Sequence, residues 1–171
     1  MRSRTAAVGL LSLVLVIPAF ATSKRERAKL EAEIRALDKD QVHRMVVAVE
    51  LDPLSKMAED TRPALLIYFE PIDYTVCLDQ IGFLTHDDAK ALQPVMWQVV
   101  FSSGDFFLQK PEESKNRLAY MLAGLEGGLR VYERMLAVKP ELRHAKLDEL
   151  LTLRNDGHLM DYVSANPCNK K

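Results

Sequence analysis

Cysteine and histidine are both scarce in this sequence, and neither occurs at a spacing typical of a metal site. The two cysteines are Cys77 and Cys168, so no C-x-x-C pair exists to build a zinc ribbon or a thioredoxin-like redox site. None of the four histidines has another histidine at i+4, and no H-E-x-x-H motif occurs. The sequence therefore predicts no metal site and no bound cofactor.

Glycine and proline are infrequent as well, with 7 and 8 residues in a chain of 171. These numbers exclude collagen-like sequences and Pro/Gly-rich disordered ones. The 23 basic and 24 acidic residues leave a net charge of −1, and no run of lysine and arginine offers the basic face that nucleic-acid binding needs. With 48% hydrophobic and 27% charged residues, we expect a globular protein that does not bind nucleic acid.

Long apolar runs are also missing except for one short run near the N-terminus. Residues 6–17 are uncharged and mostly apolar, Arg2 and Arg4 precede them, and Ala19-Phe20-Ala21 follows. This order is typical of a cleavable signal peptide, and the run is well short of the roughly 20 residues of a membrane-spanning helix. We predict cleavage after residue 21, a periplasmic or secreted location and no membrane span afterwards. An uncleaved N-terminal anchor is the alternative.

The two cysteines both remain after that cleavage. In an oxidising compartment, such a pair most simply forms one disulfide. A Cys77–Cys168 bond would close a loop of about 90 residues and stabilise the fold by about 4–5 kcal/mol on the chain-entropy model. A redox pair or a metal site is the alternative.

Helical periodicity dominates residues 22–171, which we expect to form one domain. Apolar stripes with start and stop signals predict a helix from an N-cap at Thr22-Ser23 to residue 51, one that begins at Pro111 and ends before Pro140, and others at 64–70, 89–101, 147–154 and 159–164. Two stretches are open to other interpretations: 45–51 is rich enough in β-branched residues for a strand, and 72–78 alternates like a strand but has no partner. We interpret 72–78 as an extended connector or a short helix. The fold class is therefore all-α, an irregular bundle of five or six helices with one disulfide.

Several helix boundaries in this prediction depend on single residues. Thr85 and Asp88 form a capping box, Pro94 is expected to kink or delay the helix that follows, and residues 102–105 are expected to end it. Pro63 and Pro111 are placed in the first turn of their helices, and Asp156-Gly157 at the end of one.

Three glycines, Gly124, Gly127 and Gly128, lie inside the most regular helical stripe of the chain. A phosphate-binding loop needs glycines between a strand and the start of a helix, where backbone N–H groups are free. In mid-helix those groups are already bonded, so the glycines predict a close approach by a neighbouring helix. A functional kink is the alternative.

Aromatic residues concentrate in the middle third of the chain and supply the candidate binding surface. Phe106 and Phe107 are adjacent and cannot both face one core, which suggests that some of these rings are available to a ligand. We therefore predict a ligand or partner surface at Trp97, Phe101, Phe106 and Phe107, with burial in the core as the alternative.

Catalytic motifs are absent: there is no G-x-S-x-G elbow, and no catalytic residue is predicted. The first hypothesis is a non-enzymatic protein of the cell envelope that binds a protein partner or a small apolar ligand. The alternative is an envelope-acting hydrolase with a site near Ser103 and Asp105 that recruits a distant histidine.

Overall fold

A computed structural model of the chain describes residues 23–74, 76, 78–84 and 90–166. Within these residues there is no strand, which confirms the all-α class. The prediction of five or six helices is wrong, because seven α-helices have bounds in the described residues. They are α1 (Lys24–Arg35), α2 (Lys39–Leu51), α3 (Lys56–Phe69), α4 (Gln93–Gln109), α5 (Arg117–Val138), α6 (Ala145–Asn155) and α7 (Leu159–Ala165).

The first predicted helix is two helices, because a capping box interrupts it. Asp38 accepts a hydrogen bond from the Gln41 N–H at 2.8 Å, and Gln41 Oε1 accepts one from the Asp38 N–H at 2.9 Å. This reciprocal pair satisfies two backbone donors and starts α2 after a turn. The apolar stripe continues across the break, so periodicity alone did not reveal it. The strand considered for 45–51 is wrong, since these residues are helical.

Helix α3 begins earlier than predicted. Ser55 is its N-cap and accepts a hydrogen bond from the Ala58 N–H at 3.1 Å. Pro63 therefore lies inside the helix rather than in its first turn. The proline ring is exposed, while Leu65 and Phe69 on the other side are buried. Burial of this apolar face offsets the backbone hydrogen bond that the proline removes.

Helix α4 begins and ends later in the sequence than its predicted range of 89–101. Pro94 lies in its first turn, which confirms the predicted delay. The break expected at 102–105 is wrong, because Ser102, Ser103 and Gly104 remain helical and buried. Pro111 opens only a short 3₁₀ turn, and α5 starts later than predicted, with Asn116 as N-cap. The predicted end of α5 before Pro140 is confirmed.

The small residues of α4 and α5 explain why α4 continues as a helix through residues 102–105. A Cβ added to Gly124 would lie 2.0 Å from Ser103 Oγ and 2.7 Å from the Val99 carbonyl oxygen; one added to Gly127 would lie 2.0 Å from Ser102 Oγ. Real Cβ atoms do not approach other atoms this closely. The glycines therefore let the antiparallel helices touch, as the sequence predicted.

Two apolar clusters form the interior, and α4 contributes to both. The first cluster lies among α4, α5, α6 and α7, with Leu125, Tyr132 and Leu147 fully buried in it. The second lies among α2, α3 and α4, with Val42, Leu65 and Phe101 fully buried. Helix α4 therefore contacts α5 as well as α2 and α3.

The C-terminal helices and the connector after α3 follow the predicted signals. Helix α6 stops at Asn155, and Gly157 has a φ of 80°, the left-handed conformation that favours glycine. The predicted extra turn is α7. Residues 72–74 are non-helical and a 3₁₀ turn spans Leu78–Ile81, which fits the predicted connector.

Several predictions fall on residues outside those that the structure describes. These are the signal segment 1–21, the Thr85–Asp88 capping box and both cysteines of the Cys77–Cys168 disulfide. Among the residues that are described, no helix combines the length and apolarity needed to cross a membrane.

Candidate functional site

An open groove lies between α1, α3, the connector after α3 and the middle of α4. Its volume is about 710 Å³. Its walls are mostly apolar and its rim carries charges. The apolar lining residues are Leu66, Ile67, Phe69, Ile72, Val76 and Val100, and the polar ones are Glu31, Arg35, Glu70 and Tyr74.

The apolar wall arises from a run of five apolar or aromatic residues at 65–69 in α3. Successive residues on a helix are 100° apart, so five in a row cannot all face the core. Leu65 and Phe69, one turn apart, are buried. Leu66 and Ile67 point elsewhere, remain half-buried and line the groove. The groove therefore exposes apolar surface that the fold itself does not cover.

The floor of the groove is a set of aromatic rings fixed by their neighbours. The Phe69 ring stacks on Phe101 with centroids 6.1 Å apart, and its edge meets Tyr74 at 6.0 Å. Tyr74 donates its hydroxyl to the Val100 carbonyl oxygen at 3.1 Å. Burial raises the pKa of Tyr74 well above its usual value, so this residue remains neutral and its donor is already used. The floor has little to offer a polar ligand.

In the part of the chain that the structure describes, the rim carries three charged side chains, two of which pair with each other. Arg35 donates to Glu70 at 2.9 Å, and both groups are exposed. Glu31 lies one turn before Arg35 on α1 and is half-buried. Among the described residues, Glu31 has no hydrogen bond or ion pair. The described charges of the rim therefore sum to −1, and Glu31 is the unpaired one.

The aromatic residues predicted as a binding surface lie elsewhere, and none of the four lines the groove. Phe101 is 0% exposed and belongs to the core. Trp97, half-buried, stacks on it with centroids 6.3 Å apart. Phe101 therefore lies in the core, and Trp97 lies against it.

Phe106 and Phe107 pack on the other cluster, so the four aromatics do not share one face. Phe107 contacts Tyr74 at 6.0 Å and Tyr120 at 6.1 Å between ring centroids. The Lys110 ammonium lies 5.1 Å from the Phe106 ring, a cation–π contact that covers one side of it. The aromatic pattern does not indicate the groove, because most of its lining comes from α1, α3 and the connector. The one sequence signal for it was the apolar run at 65–69.

The residues of the hydrolase alternative are brought together only in part, because Asp105 meets a histidine and Ser103 does not. Ser103 is 1% exposed and faces Gly124 of α5. Asp105, two residues on and therefore on another side of α4, lies 2.7 Å from His43 Nδ1. No histidine within the described part of the chain hydrogen-bonds to Ser103. A buried hydroxyl with no base beside it is not an accessible nucleophile.

A metal centre is not formed by the described side chains either, because no three His, Cys, Asp or Glu residues among them converge. Comparison of the chain with protein-family models, with curated proteins and with solved structures finds no match. The functional argument therefore depends on the groove itself.

Proposed function

We propose that this protein is a non-enzymatic binding protein whose groove between α1, α3 and α4 holds a small, largely apolar molecule. The observation that supports this proposal is the set of half-buried apolar side chains around a space of about 710 Å³. Ligand pockets typically have volumes of about 300–1,000 Å³ and apolar walls with a few polar groups.

Binding in this groove would be driven by removal of apolar surface from water. Each methylene that leaves water contributes up to about 0.8 kcal/mol, a factor of about four in affinity. Because the groove is open on one side, part of a bound chain stays in contact with water, and we expect about a two- to fourfold gain per methylene. Affinity should therefore rise with chain length until the groove is filled.

The experiment is a calorimetric or NMR titration with the linear alcohols from 1-pentanol to 1-octanol. We expect affinity to increase along the series. Ile67→Gln is expected to weaken 1-octanol binding by about fivefold, because it replaces an apolar wall residue with an amide that gains no partner. Met57→Gln is the matched control, since Met57 lies on the same helix, is 42% exposed and does not line the groove.

The proposal would be abandoned if no alcohol bound at its solubility limit. Equal weakening by Ile67→Gln and Met57→Gln would also count against it, because binding would then occur at apolar surface in general rather than in the groove. Unfolding curves for both variants verify that the fold is kept.

We further propose that the protein is exported, loses residues 1–21 and forms the Cys77–Cys168 disulfide. Cys77 directly follows Val76, a lining residue of the groove. A bond to Cys168 would therefore tether this wall to the C-terminal tail and reduce the freedom of the connector. This arrangement would preorganise the groove for its ligand.

The intact mass of the protein recovered from its own host is expected to lack residues 1–21 and two hydrogens. Alkylation before and after reduction should label no thiol and two thiols, respectively. A complete N-terminus would rule out cleavage, and two thiols labelled without reduction would rule out the disulfide.

A further inference from the structure

We infer that the ligand is a small amphiphilic cation, with an apolar body that lies in the groove and one positive group that lies at Glu31. This inference rests on the proposed function and adds the charge of the ligand to it. It depends on how the charges at the rim are distributed between paired and unpaired groups.

Glu31 is the rim charge that no side chain of the described chain neutralises. Arg35, four residues later, is engaged with Glu70. Lys29 forms its ion pair with Glu33 at 3.7 Å. Arg27, one turn earlier, makes no ion pair with Glu31 and is exposed. An unpaired carboxylate at the edge of an apolar wall attracts a cation that approaches the groove, and the apolar part of the same ligand can then lie against that wall.

Ligands of other charge are expected to bind less well. An anion at the rim would compete with Glu70, which lies 2.9 Å from Arg35 Nη2, and it would be repelled by the carboxylates of both Glu70 and Glu31. A neutral ligand gains the apolar contacts but leaves Glu31 without a partner. The expected order of affinity is therefore cation, then neutral molecule, then anion, for the same apolar chain.

The experiment compares octylammonium, 1-octanol and octanoate at neutral pH and below their aggregation concentrations. At low ionic strength we expect octylammonium to bind about two- to fivefold more tightly than 1-octanol, as for a partly exposed ion pair. Octanoate should bind more weakly than either. Added salt should reduce the differences, because the rim is in contact with solvent.

Variants of Glu31 separate its charge from its packing. Glu31→Gln keeps the side-chain size and should bring octylammonium and 1-octanol to equal affinity. Glu31→Lys should reverse the order, so that octanoate binds more tightly than octylammonium. Glu33→Gln is the matched control: Glu33 is an exposed carboxylate on the same helix that does not line the groove, and the wild-type order should persist.

The outcomes distinguish this inference from the proposed function. Binding of all three probes with equal affinity, still sensitive to Ile67→Gln, would overturn the charge assignment and leave the apolar groove intact. A preference for octanoate in the wild type would overturn it too, and would identify Arg35 as the dominant group. Failure of every probe to bind would remove both proposals.

Discussion

Replacing Gly124 by alanine is expected to lower the free energy of unfolding by about 2 kcal/mol, although alanine favours a helix by about 1 kcal/mol over glycine. The added Cβ would lie 2.7 Å from the Val99 carbonyl oxygen, a backbone atom that cannot rotate away. The helices would have to separate, which would weaken packing along both. Chemical denaturation followed by circular dichroism measures the change.

Gly127 provides the matched comparison. A Cβ at this position meets the Ser102 side chain, at 2.0 Å from Oγ and 2.6 Å from Cβ. Ser102→Gly should therefore offset part of the destabilisation by Gly127→Ala, as a favourable coupling in a double-mutant cycle. Ser103→Ala should not rescue Gly124→Ala, because the Val99 carbonyl remains. An increase in stability on Gly124→Ala would show that the helices are not in the close contact described here.

This helix pair also shows where prediction from sequence succeeds and where it fails. The stripe of α5 and its end before Pro140 depend on residues within one or two turns, so periodicity revealed them. The continuation of α4 through Ser102, Ser103 and Gly104 depends on glycines about 20 residues later. In isolation these small residues favour a turn. In the folded protein Ser102 and Ser103 are small enough to pack against the glycines of α5, and α4 remains helical there.

The other boundary errors have the same physical origin. Pro63 has a local preference for a first turn, yet α3 begins at Lys56 because Ser55 caps it and its apolar face is buried. The break between α1 and α2 depends on a capping pair, Asp38 and Gln41, inside a continuous apolar stripe. Local signals identified which segments are helical, but tertiary contacts and caps selected their ends.

The groove and the aromatic surface predicted from the sequence lie in different places for a related reason. Composition drew attention to the aromatic residues of α4, but rings in a central helix are the first to be buried. The groove instead combines aliphatic residues of α3 and the connector with the Phe69 and Tyr74 rings at its floor, and composition does not distinguish these two rings from those of α4. The apolar run at 65–69 was recognisable as too wide for one buried face, yet it could equally have met another helix. Only the arrangement of α1 and α4 around it leaves the groove open.

Replacing Phe101 by alanine is expected to have the largest effect of any substitution discussed, a loss of about 3–5 kcal/mol of stability. Phe101 is 0% exposed and lies between Phe69 and Trp97, with ring planes at 22° and 15° to these neighbours. Removing the ring would leave a cavity between two aromatic side chains that cannot collapse onto each other without moving α3 or α4. Denaturant unfolding of the variant measures the loss.

Two further readouts show whether Phe101 acts through the core alone. Trp97 is the single tryptophan and stacks on Phe101, so its fluorescence should change in the folded variant. Phe69, the floor of the groove, also loses its support, and 1-octanol affinity should fall even where the variant is still folded. Phe106→Ala is the control, with an expected loss of about 1–2 kcal/mol because its ring is only partly buried. Equal losses for the two variants would contradict the central position of Phe101, whereas a fall in 1-octanol affinity confined to Phe101→Ala would establish that the core beneath Phe69 maintains the shape of the groove.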